Sequence, residues 1–575
     1  MRFLALLILL SLPVAAAPAW VEQSNLNAKL LLDLQARYSP EGAGRAGVEG
    51  VDEQISDLSA VAQRRLRKEL GVLRAEFRKR AAGESHPQVR QDLQILINSI
   101  DEEIVSSELN QRHLVQYRPV AQLVFQGLRA LLDDQVPKIR RRAALVRLKK
   151  YTGLVEGFRP ITLVAEERIR EGLGHKELQR PFRGRVEQDL ARADSFLSGI
   201  GALFDRYKIS GYQDALDRLK TNLKEYHAFV RKDVLPQSRS DFRQPPEIYA
   251  QSLKGYGIDI PPQQLASIAH ASYQEIQKEM ADIAERLAKE KGANYRDVIR
   301  RLKREQLVGD SILPHYQQRL KQLEEIVRSH DLVSLPSRPA RIRLATAAET
   351  AAQPAPNMQP PRLVGNTGEQ GTFVLPLNIP DPSGKVESYD DFTFAAASWT
   401  LTAHELRPGH EMQFAAMVES GVSTARALFA FNSVNVEGWG LYSEAVMKPY
   451  LPLEGQLICL QHRLLRAARA YLDPELQMGK VTPDEAMRIL TGDVVLSNAM
   501  ARQEVERYTF RAPGQATAYF YGFIRLMELR RDVERKLGTR FKAKRFHDFV
   551  LAKGLLPPDL LRAAVMTEFV SAAGQ

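Results

Sequence analysis

The residues with the clearest chemical potential lie in the run from His404 to His410, which reads H-E-L-R-P-G-H. It begins like the zinc-protease motif H-E-x-x-H, in which two histidines on one helical face bind the metal and the glutamate is a general base. Here the histidines are six positions apart. Because six residues of regular helix rotate by about 600°, the two rings would point roughly 120° apart. A straight helix therefore cannot present both rings to one ion.

Pro408 and Gly409 indicate how this spacing is reconciled with a metal site. Proline has no N–H for the carbonyl four residues earlier, and its ring clashes with that turn. Glycine tolerates the unusual dihedrals that an interruption needs. We therefore predict a helix that carries His404 and Glu405 and is broken or bulged at Pro408-Gly409, which swings His410 back to the metal.

A third protein ligand is expected for such a site, usually a histidine or a carboxylate. Glu437 and Glu444 are seven positions apart, so on one helix they fall on nearly the same face. Their neighbours are apolar and aromatic, where an unpaired carboxylate is costly. We predict that Glu437 binds the metal and that Glu444 supports a ligand from behind.

These residues predict zinc-dependent hydrolysis, with one Zn²⁺ per chain held by His404, His410 and Glu437. The open position of such a site holds a water whose pKa falls to about 7. Glu405 is the predicted base, which takes the water's proton and passes it to the leaving amine. Both histidines must be neutral to bind, so we expect activity to fall below about pH 6.

Pro513-Gly514 is expected to interrupt the helix in this region. Three residues near it are candidates for stabilising charge at the metal site: Arg507, Tyr508 and Tyr519. A turn there would bring a hydroxyl or a guanidinium to the metal, where it can stabilise the oxyanion of a tetrahedral intermediate. The alternative for both tyrosines is a core position with a hydrogen-bonded hydroxyl, which is the commoner fate of tyrosine in helical proteins.

At these motifs the chain resembles the bacterial proteins of domain-of-unknown-function family 885. The resemblance rests on the runs His404–Gln413 and Glu437–Glu444, and it continues through Glu504–Tyr508 and Pro513–Gly522 to the region near Gly554. It implies a mostly helical, zincin-like zinc metallopeptidase and adds Gln413 to the residues that surround the metal.

Two positions depart from the family's pattern. Gln477 stands where the resemblance leads us to expect a histidine after Asp473, which puts a substrate or oxyanion contact in doubt but not the metal. Glu411 stands where members commonly carry a second histidine directly after the first motif.

The elements that must position these residues are predominantly helical. Apolar residues recur at spacings of three and four from about 25 to 340, and 400–570 is helical again. The intervening region is rich in proline and glycine, and Gly371–Leu377 is its best strand candidate. Pro376 predicts an edge strand, since it cannot donate to a ladder. An extended substrate could pair with such an edge, whereas a plain structural hairpin is the alternative.

We predict a mainly α fold: a large, multi-helix, two-lobed, zincin-like (gluzincin-like) architecture with a small β element before the metal-binding helix. The run Gln244-Pro245-Pro246 divides an N-terminal helical scaffold lobe (20–240) from a helical catalytic lobe (241–570), and one family domain is expected to span both. Long helices are predicted over Gln263–Lys291 and Pro314–His330.

Residues 1–19 read as a secretory signal peptide, with Arg2, an apolar run and then small residues. That run is too short to span a membrane, and no later stretch approaches eighteen apolar residues. The single cysteine, Cys459, lies far from this segment. We therefore expect a periplasmic or secreted protein that is not a lipoprotein and has no internal disulfide.

Composition adds little to this interpretation, because 26% charged and 44% hydrophobic residues are ordinary for a globular protein. A net charge of +11 suggests contact with anionic envelope polymers, or else simply the solubility of an exported protein. No nucleic-acid-reading motif is present. The expected partner is a peptide substrate, and the oligomeric state stays open.

Three function classes remain after this reading. The favoured one is a zinc metallopeptidase. The second is a zinc hydrolase of another amide or ester bond, such as one in cell-wall peptide. The third is a non-catalytic envelope scaffold descended from such an enzyme.

Overall fold

The computed structural model describes residues 18–380, 386–388 and 390–574. The chain is 70% helical with 3% strand, so the mainly α prediction is confirmed. Most of the predicted signal peptide, residues 1–17, lies outside the described residues. Among the described helices, none combines the length and the apolar character needed to cross a membrane.

The first part of the chain is a succession of α-helices joined by short connections. Its helices are α1 (Ala19–Tyr38), α2 (Pro40–Ala46), α3 (Ala60–Gly83), α4 (Pro87–His113), α5 (Val120–Arg129), α6 (Lys138–Arg141), α7 (Ala143–Tyr151), α8 (Ile161–Leu173), α9 (Arg183–Arg206), α10 (Gln213–Phe229), α11 (Pro246–Tyr256), α12 (Pro262–Ala288), α13 (Tyr295–Lys303) and α14 (Ile312–Ser329).

The second part adds short strands and then returns to helix. Its strands are β1 (Arg341–Leu344), β2 (Asn357–Gln359), β3 (Thr372–Leu375), β4 (Asn378–Pro380) and β5 (Val386–Ser388). Its helices are α15 (Ala347–Ala352), α16 (Ala395–Glu405), α17 (His410–Ser420), α18 (Ser433–Met447), α19 (Leu453–Gln477), α20 (Pro483–Gly492), α21 (Asn498–Glu506), α22 (Thr517–Leu537), α23 (Ala543–Ala552), α24 (Pro558–Ala564) and α25 (Ser571–Gly574).

The long helices form where their apolar residues recur at helical spacing. On α12, buried Leu265, Ala269, Tyr273, Ile276 and Met280 form one stripe, and this helix packs along α19. The predicted long helices match α12 and α14 to within three residues at each end. Proline at the first turn of α12 is compatible with helix, because its missing N–H has no partner there anyway.

The small sheet before α16 corrects one prediction. Its order is β1-β3-β2, with β1 parallel and β2 antiparallel to β3. The predicted edge strand is therefore central. Pro376 lies one residue beyond β3, so it removes no hydrogen bond from the ladder. The edge beside the later site is formed by β2.

Hydrophobic cores lie on both sides of the predicted boundary at residues 244–246. One core gathers residues from Val115 to Val234 with Ala348 and Ala351, and another gathers residues from Tyr249 to Tyr521. The earliest helices also pack on the metal-bearing half, since Asp92 on α4 bonds Arg426 Nε at 2.7 Å. The division into lobes at residue 240 stays a prediction.

Candidate metal centre

The helix that carries His404 and Glu405 ends at Glu405, and a new helix begins at His410. The predicted interruption is therefore present, and the Arg407–Pro408 peptide bond within it is cis. A Cβ atom on Gly409 would lie 1.9 Å from the His404 carbonyl oxygen, so only glycine fits this turn. A main-chain hydrogen bond spans the interruption, in which Met412 N donates to Leu406 O at 3.2 Å.

The interruption brings the two histidine rings together beside Glu437. The ring centroids of His404 and His410 are 4.5 Å apart. Glu437 Oε2 lies 3.5 Å from His404 Nε2 and 3.2 Å from His410 Nε2. Two ligands about 2.0–2.1 Å from a tetrahedral zinc would be about 3.3 Å apart. This cluster can hold a metal ion, since its candidate ligand atoms all lie within 4.8 Å of one another.

Helix α18 supplies Glu437 and also the space for both rings. Gly440 lies one turn beyond Glu437 on the same helical face. A Cβ atom there would approach His404 Cε1 to 2.7 Å and His410 Cε1 to 2.8 Å. Any larger side chain at this position would displace the histidines.

Glu444, one further turn along α18, contacts His404 from behind. Its Oε1 accepts from His404 Nδ1 at 2.7 Å, and its Oε2 accepts from the Thr400 hydroxyl at 2.6 Å. Because Nδ1 carries the proton in this bond, the Nε2 lone pair of His404 is directed at the cluster.

The break between α16 and α17 is also held by α18. Trp439 Nε1 donates to the Pro408 carbonyl at 2.9 Å, and the Ser443 hydroxyl, which donates to Trp439 O at 2.7 Å, lies 3.3 Å from the same Pro408 oxygen. A single helix therefore provides a candidate ligand, orients a second and fixes the turn that delivers the third.

Charges around the cluster separate the carboxylates into different protonation states. Burial alone would raise the pKa of Glu437, but its interactions with His404 and His410 hold it well below its usual range. Glu444 is similar, because Arg466 and His404 outweigh burial and lower its pKa to about 2. For Glu405 burial dominates and raises the pKa to about 7. Glu405 is thus the carboxylate best suited to exchange a proton near neutral pH.

Of the three oxyanion candidates, the structure brings Tyr519 and Arg507 to the cluster. The Tyr519 ring stacks on His404, with centroids 6.2 Å apart. Arg507 Nη2 donates to the Tyr519 hydroxyl oxygen at 2.9 Å. Burial raises the pKa of Tyr519 although Arg507 acts in the opposite direction, so this hydroxyl keeps its proton at neutral pH.

Tyr508 is placed differently. Its hydroxyl donates to Glu504 Oε2 at 2.6 Å, and Glu504 is in turn bound by Arg469 through two contacts of 2.6 Å. The side chain is fully buried in this network. The core alternative therefore describes Tyr508, because its hydroxyl is already used in holding the helices together.

Gln413 and the two departures from the family pattern also have structural partners. Gln413 Nε2 donates to Asn435 Oδ1 at 2.9 Å rather than to a metal ligand. Glu411 is fully buried and accepts from Arg407 Nε at 2.8 Å. Gln477 Nε2 donates to the Tyr508 carbonyl at 2.8 Å, and its Oε1 accepts from the main chain at Gln244. Gln477 thus ties the Arg507–Arg511 segment to the predicted lobe boundary.

A comparison with protein-family models matches residues 40–565 to the family described as "Bacterial protein of unknown function (DUF885)". The chain belongs to this family. The resemblance seen in the sequence is therefore confirmed over nearly the whole chain. A comparison with curated proteins finds no match.

Solved structures with the same fold are known for proteins of two bacteria. One is a "putative lipoprotein" from Colwellia psychrerythraea, with a TM-score of 0.73 and 18% identity over 96% of this chain and 99% of that one. The other is a "putative lipoprotein of unknown function" from Shewanella oneidensis, with a TM-score of 0.69 and 18% identity over 96% of this chain and 100% of that one. At this identity they show a shared fold.

A third solved structure is a "putative oligoendopeptidase F" from Bacillus anthracis str. Ames, with 10% identity over 88% of this chain and 96% of that one. Its TM-score of 0.27 is far below those of the two lipoprotein structures.

Several residues around the cluster were missed by sequence reasoning. Arg466 is buried on α19, with its Nη2 3.6 Å from Glu444 Oε1. Thr400 lies one helical turn before His404 and bonds the same carboxylate. The Met358 main-chain N–H on β2 bonds the Glu405 carboxylate and lowers its pKa slightly. Only Thr400 had a local signal, namely its position on the face of His404.

Proposed function

We propose that this DUF885 protein is an exported zinc-dependent metallopeptidase that hydrolyses peptide bonds, with one Zn²⁺ per chain bound by His404, His410 and Glu437. The observation that carries the proposal is the convergence of these three side chains across an interrupted helix, with Glu405 directly beside them. Two histidines and one glutamate are a ligand set used by catalytic zinc sites. The zincin-like character of the fold is part of the same proposal.

The residues present fit a zinc ion. Gly440 leaves open the space that a Cβ atom would fill between the two histidine rings. Glu444 directs the His404 Nε2 lone pair toward the cluster. Zinc bound there would act as a Lewis acid toward water and a peptide carbonyl.

Glu405 is the residue that would move the proton. It follows a candidate ligand in the chain, it is 7% exposed, and burial raises its pKa to about 7. In the proposed reaction its carboxylate accepts a proton from the attacking water and then donates that proton to the leaving nitrogen.

Tyr519 and Arg507 would stabilise negative charge on the substrate's carbonyl oxygen. The Tyr519 hydroxyl keeps its proton, and Arg507 both positions and polarises it through their 2.9 Å hydrogen bond. A donor that is held in place before reaction costs little reorganisation when the oxyanion forms.

The edge strand β2 supports a peptide as the substrate. It borders the sheet, and its Met358 N–H points at Glu405. An extended peptide that added to this edge would run past the proposed base, with main-chain hydrogen bonds that are independent of its sequence. The role predicted for the strand at 371–377 thus passes to β2.

The location in the cell belongs to the proposal too. Two solved relatives in fold are named putative lipoproteins, which supports an envelope setting. We infer a periplasmic or secreted protein whose partner is a peptide and not nucleic acid. Contact with anionic envelope polymers and the absence of a lipid anchor stay predictions.

Digestion of a peptide library, with and without a chelator, tests the proposal. We expect cleavage products that disappear on chelation and return when zinc is added back. Intact peptides together with about one bound zinc per chain would indicate hydrolysis of another bond. Intact peptides without bound metal would favour the non-catalytic scaffold.

A further inference from the structure

A row of arginines begins at the proposed oxyanion site and leads away from the metal cluster. Arg507 bonds Tyr519, and its charge helps to lower the pKa of Arg511 four residues later. Arg511 Nη1 lies 3.8 Å from Glu506 Oε2, and Arg192 Nη2 on α9 lies 3.9 Å from the same oxygen. The row therefore passes from the metal-bearing half of the chain to the N-terminal half.

The row continues along α9 and toward the start of α5. The positive charges of Arg185 and Arg192 both act to lower the pKa of Asp189, and the charge of Arg185 also lowers the pKa of Arg118. We call Arg507, Arg511, Arg192, Arg185 and Arg118 the arginine row.

The contact between the two halves at this place is well defined. Gln188 Nε2 donates to Glu506 Oε2 at 2.8 Å, and the rings of Phe182 and Phe510 lie 5.3 Å apart. The segment that carries Arg507 and Arg511 thus rests directly on α9, so the arginines are held in place from both sides.

Arg507, Arg511 and Arg192 are partly covered by neighbouring groups but stay accessible to solvent. The side chains of Arg507, Arg511 and Arg192 are 20%, 22% and 18% exposed. Burial is the largest cause that lowers the pKa of Arg511, to about 10, and it also lowers that of Arg192. A guanidinium group that is about one-fifth exposed can still be reached by a ligand from solvent.

The local carboxylates do not balance this charge. Asp189 and Glu506 oppose the five arginines of the row, which leaves an excess of three positive charges. Glu504 also lies 3.7 Å from Arg507 Nη1, but both of its oxygens are bound by Arg469, so counting this pair as well leaves the excess at three. A partly covered surface with uncompensated charge of one sign favours ligands of the opposite sign.

We infer that the arginine row is a substrate-binding wall that selects peptides with a carboxylate near the scissile bond, either an acidic side chain or a free C-terminal carboxylate. This inference rests on the proposed peptidase function and adds its substrate class. Arg192 and Arg511 act as specificity residues, whereas Arg507 also touches the proposed oxyanion donor. Planar guanidinium groups bind carboxylates through paired hydrogen bonds, which suits this task.

Peptide binding measured separately from cleavage tests the inference. Four fluorescent peptides of one sequence would carry Glu or Gln beside the central bond and a C-terminal acid or amide. Fluorescence anisotropy with zinc-loaded E405Q protein would report affinity without turnover. R192Q and R511Q would be added singly in that background, and circular dichroism and metal content would verify each fold. R488Q is the control, because Arg488 is 75% exposed on α20 and lies outside the row.

We expect at least one peptide with a carboxylate to bind at least about tenfold more tightly than the neutral peptide. R192Q and R511Q should each reduce that preference by roughly fivefold, and R488Q should leave it unchanged. The peptide with Glu and a C-terminal amide tests recognition of a side-chain carboxylate. The peptide with Gln and a C-terminal acid tests recognition of the terminal carboxylate.

Equal affinity for all four peptides, or binding of none, would overturn the inference. So would a preference that survives in both R192Q and R511Q. Cleavage assays with wild-type protein keep the two proposals apart. Cleavage without charge preference would support the proposed function and contradict the binding wall. Charge-selective binding without any cleavage would support the binding wall and contradict the peptidase function.

Discussion

Glu405 differs from the other carboxylates of the cluster in what its side chain contacts. Glu437 faces both histidines and Glu444 is bound to His404, so both stay ionised. The Glu405 carboxylate accepts a hydrogen bond from the Met358 main-chain N–H, and burial raises its pKa to about 7. This separation of environments assigns the proton-transfer role to Glu405.

Replacement of Glu405 by glutamine should abolish turnover while the metal stays bound. We expect kcat to fall by about 10²–10⁴-fold, the range supplied by general bases, because the amide cannot accept a proton. E419Q is a matched control, since Glu419 lies at the far end of α17 from His410 and its carboxylate accepts a hydrogen bond from the Ser337 main-chain N–H. Peptidase assays with parallel metal analysis would measure both effects, and an active E405Q protein with full metal content would refute the assignment.

The two tyrosines offer a second test at the residue scale. Y519F should lower kcat by roughly 10²-fold with little change in KM, because the hydroxyl acts on the developing oxyanion. Y508F should leave kcat nearly unchanged, since that hydroxyl bonds Glu504. Steady-state kinetics on both variants would show the contrast. Equal losses in both would indicate that Tyr519 acts only in packing.

Residues within two turns of helix α18 support the candidate metal centre in four ways. It supplies Glu437, leaves space at Gly440, orients His404 through Glu444 and holds the interruption through Trp439. A change in its sequence should therefore affect metal affinity before it affects the overall fold.

Gly440→Ala tests this role of α18. The added methyl group would lie 2.7 Å from His404 Cε1, so the rings must move apart. We expect zinc affinity to fall at least about tenfold, as for changes in residues that support metal ligands. G492A on α20 is the control, because nothing lies within 4 Å of a Cβ atom there. Competition titration with a zinc indicator would measure both, and unchanged affinity in G440A would contradict the packing argument.

The elements show which predictions a sequence supports and which it does not. The interruption between α16 and α17 was predictable because Pro408 and Gly409 act on their own turn. The edge-strand prediction for 371–377 was wrong, since strand order depends on β1 and β2, which pair from a distance. The roles of Tyr508 and Tyr519 could not be separated because they depend on distant contacts: Tyr519 stacks on His404, whereas Arg469 from α19 holds the Glu504 that binds Tyr508.

Ion pairs join distant parts of the whole molecule as well as the centre. Glu349 on α15 accepts from Arg343 on β1 at 2.6 Å and from Arg129 on α5 at 2.7 Å. Burial would raise the pKa of Glu349, but these arginines and the Thr346 N–H lower it to about 2. The carboxylate therefore ties an N-terminal helix to the sheet that precedes the metal centre.

This pair predicts how stability depends on pH. The folded pKa of Glu349 lies below the unfolded value of 4.5, so its stabilisation is present above pH 4.5 and is lost as pH falls toward 2. E349Q should reduce the free energy of unfolding by about 3 kcal/mol at pH 7, and the difference from wild type should narrow from pH 5 to pH 3. Urea titrations would measure this difference, with D217N as the control because the Asp217 side chain on α10 is 70% exposed. A difference that is independent of pH would contradict the ion-pair explanation.

The proposed hydrolysis requires that residues from three helices share one zinc ion. Anomalous X-ray diffraction at the zinc absorption edge, from crystals of the zinc-loaded protein, measures this directly. We expect one peak per chain about 2.0–2.1 Å from His404 Nε2, His410 Nε2 and a Glu437 carboxylate oxygen. The absence of a peak there, or a peak bound by other side chains, would contradict the proposed metal centre.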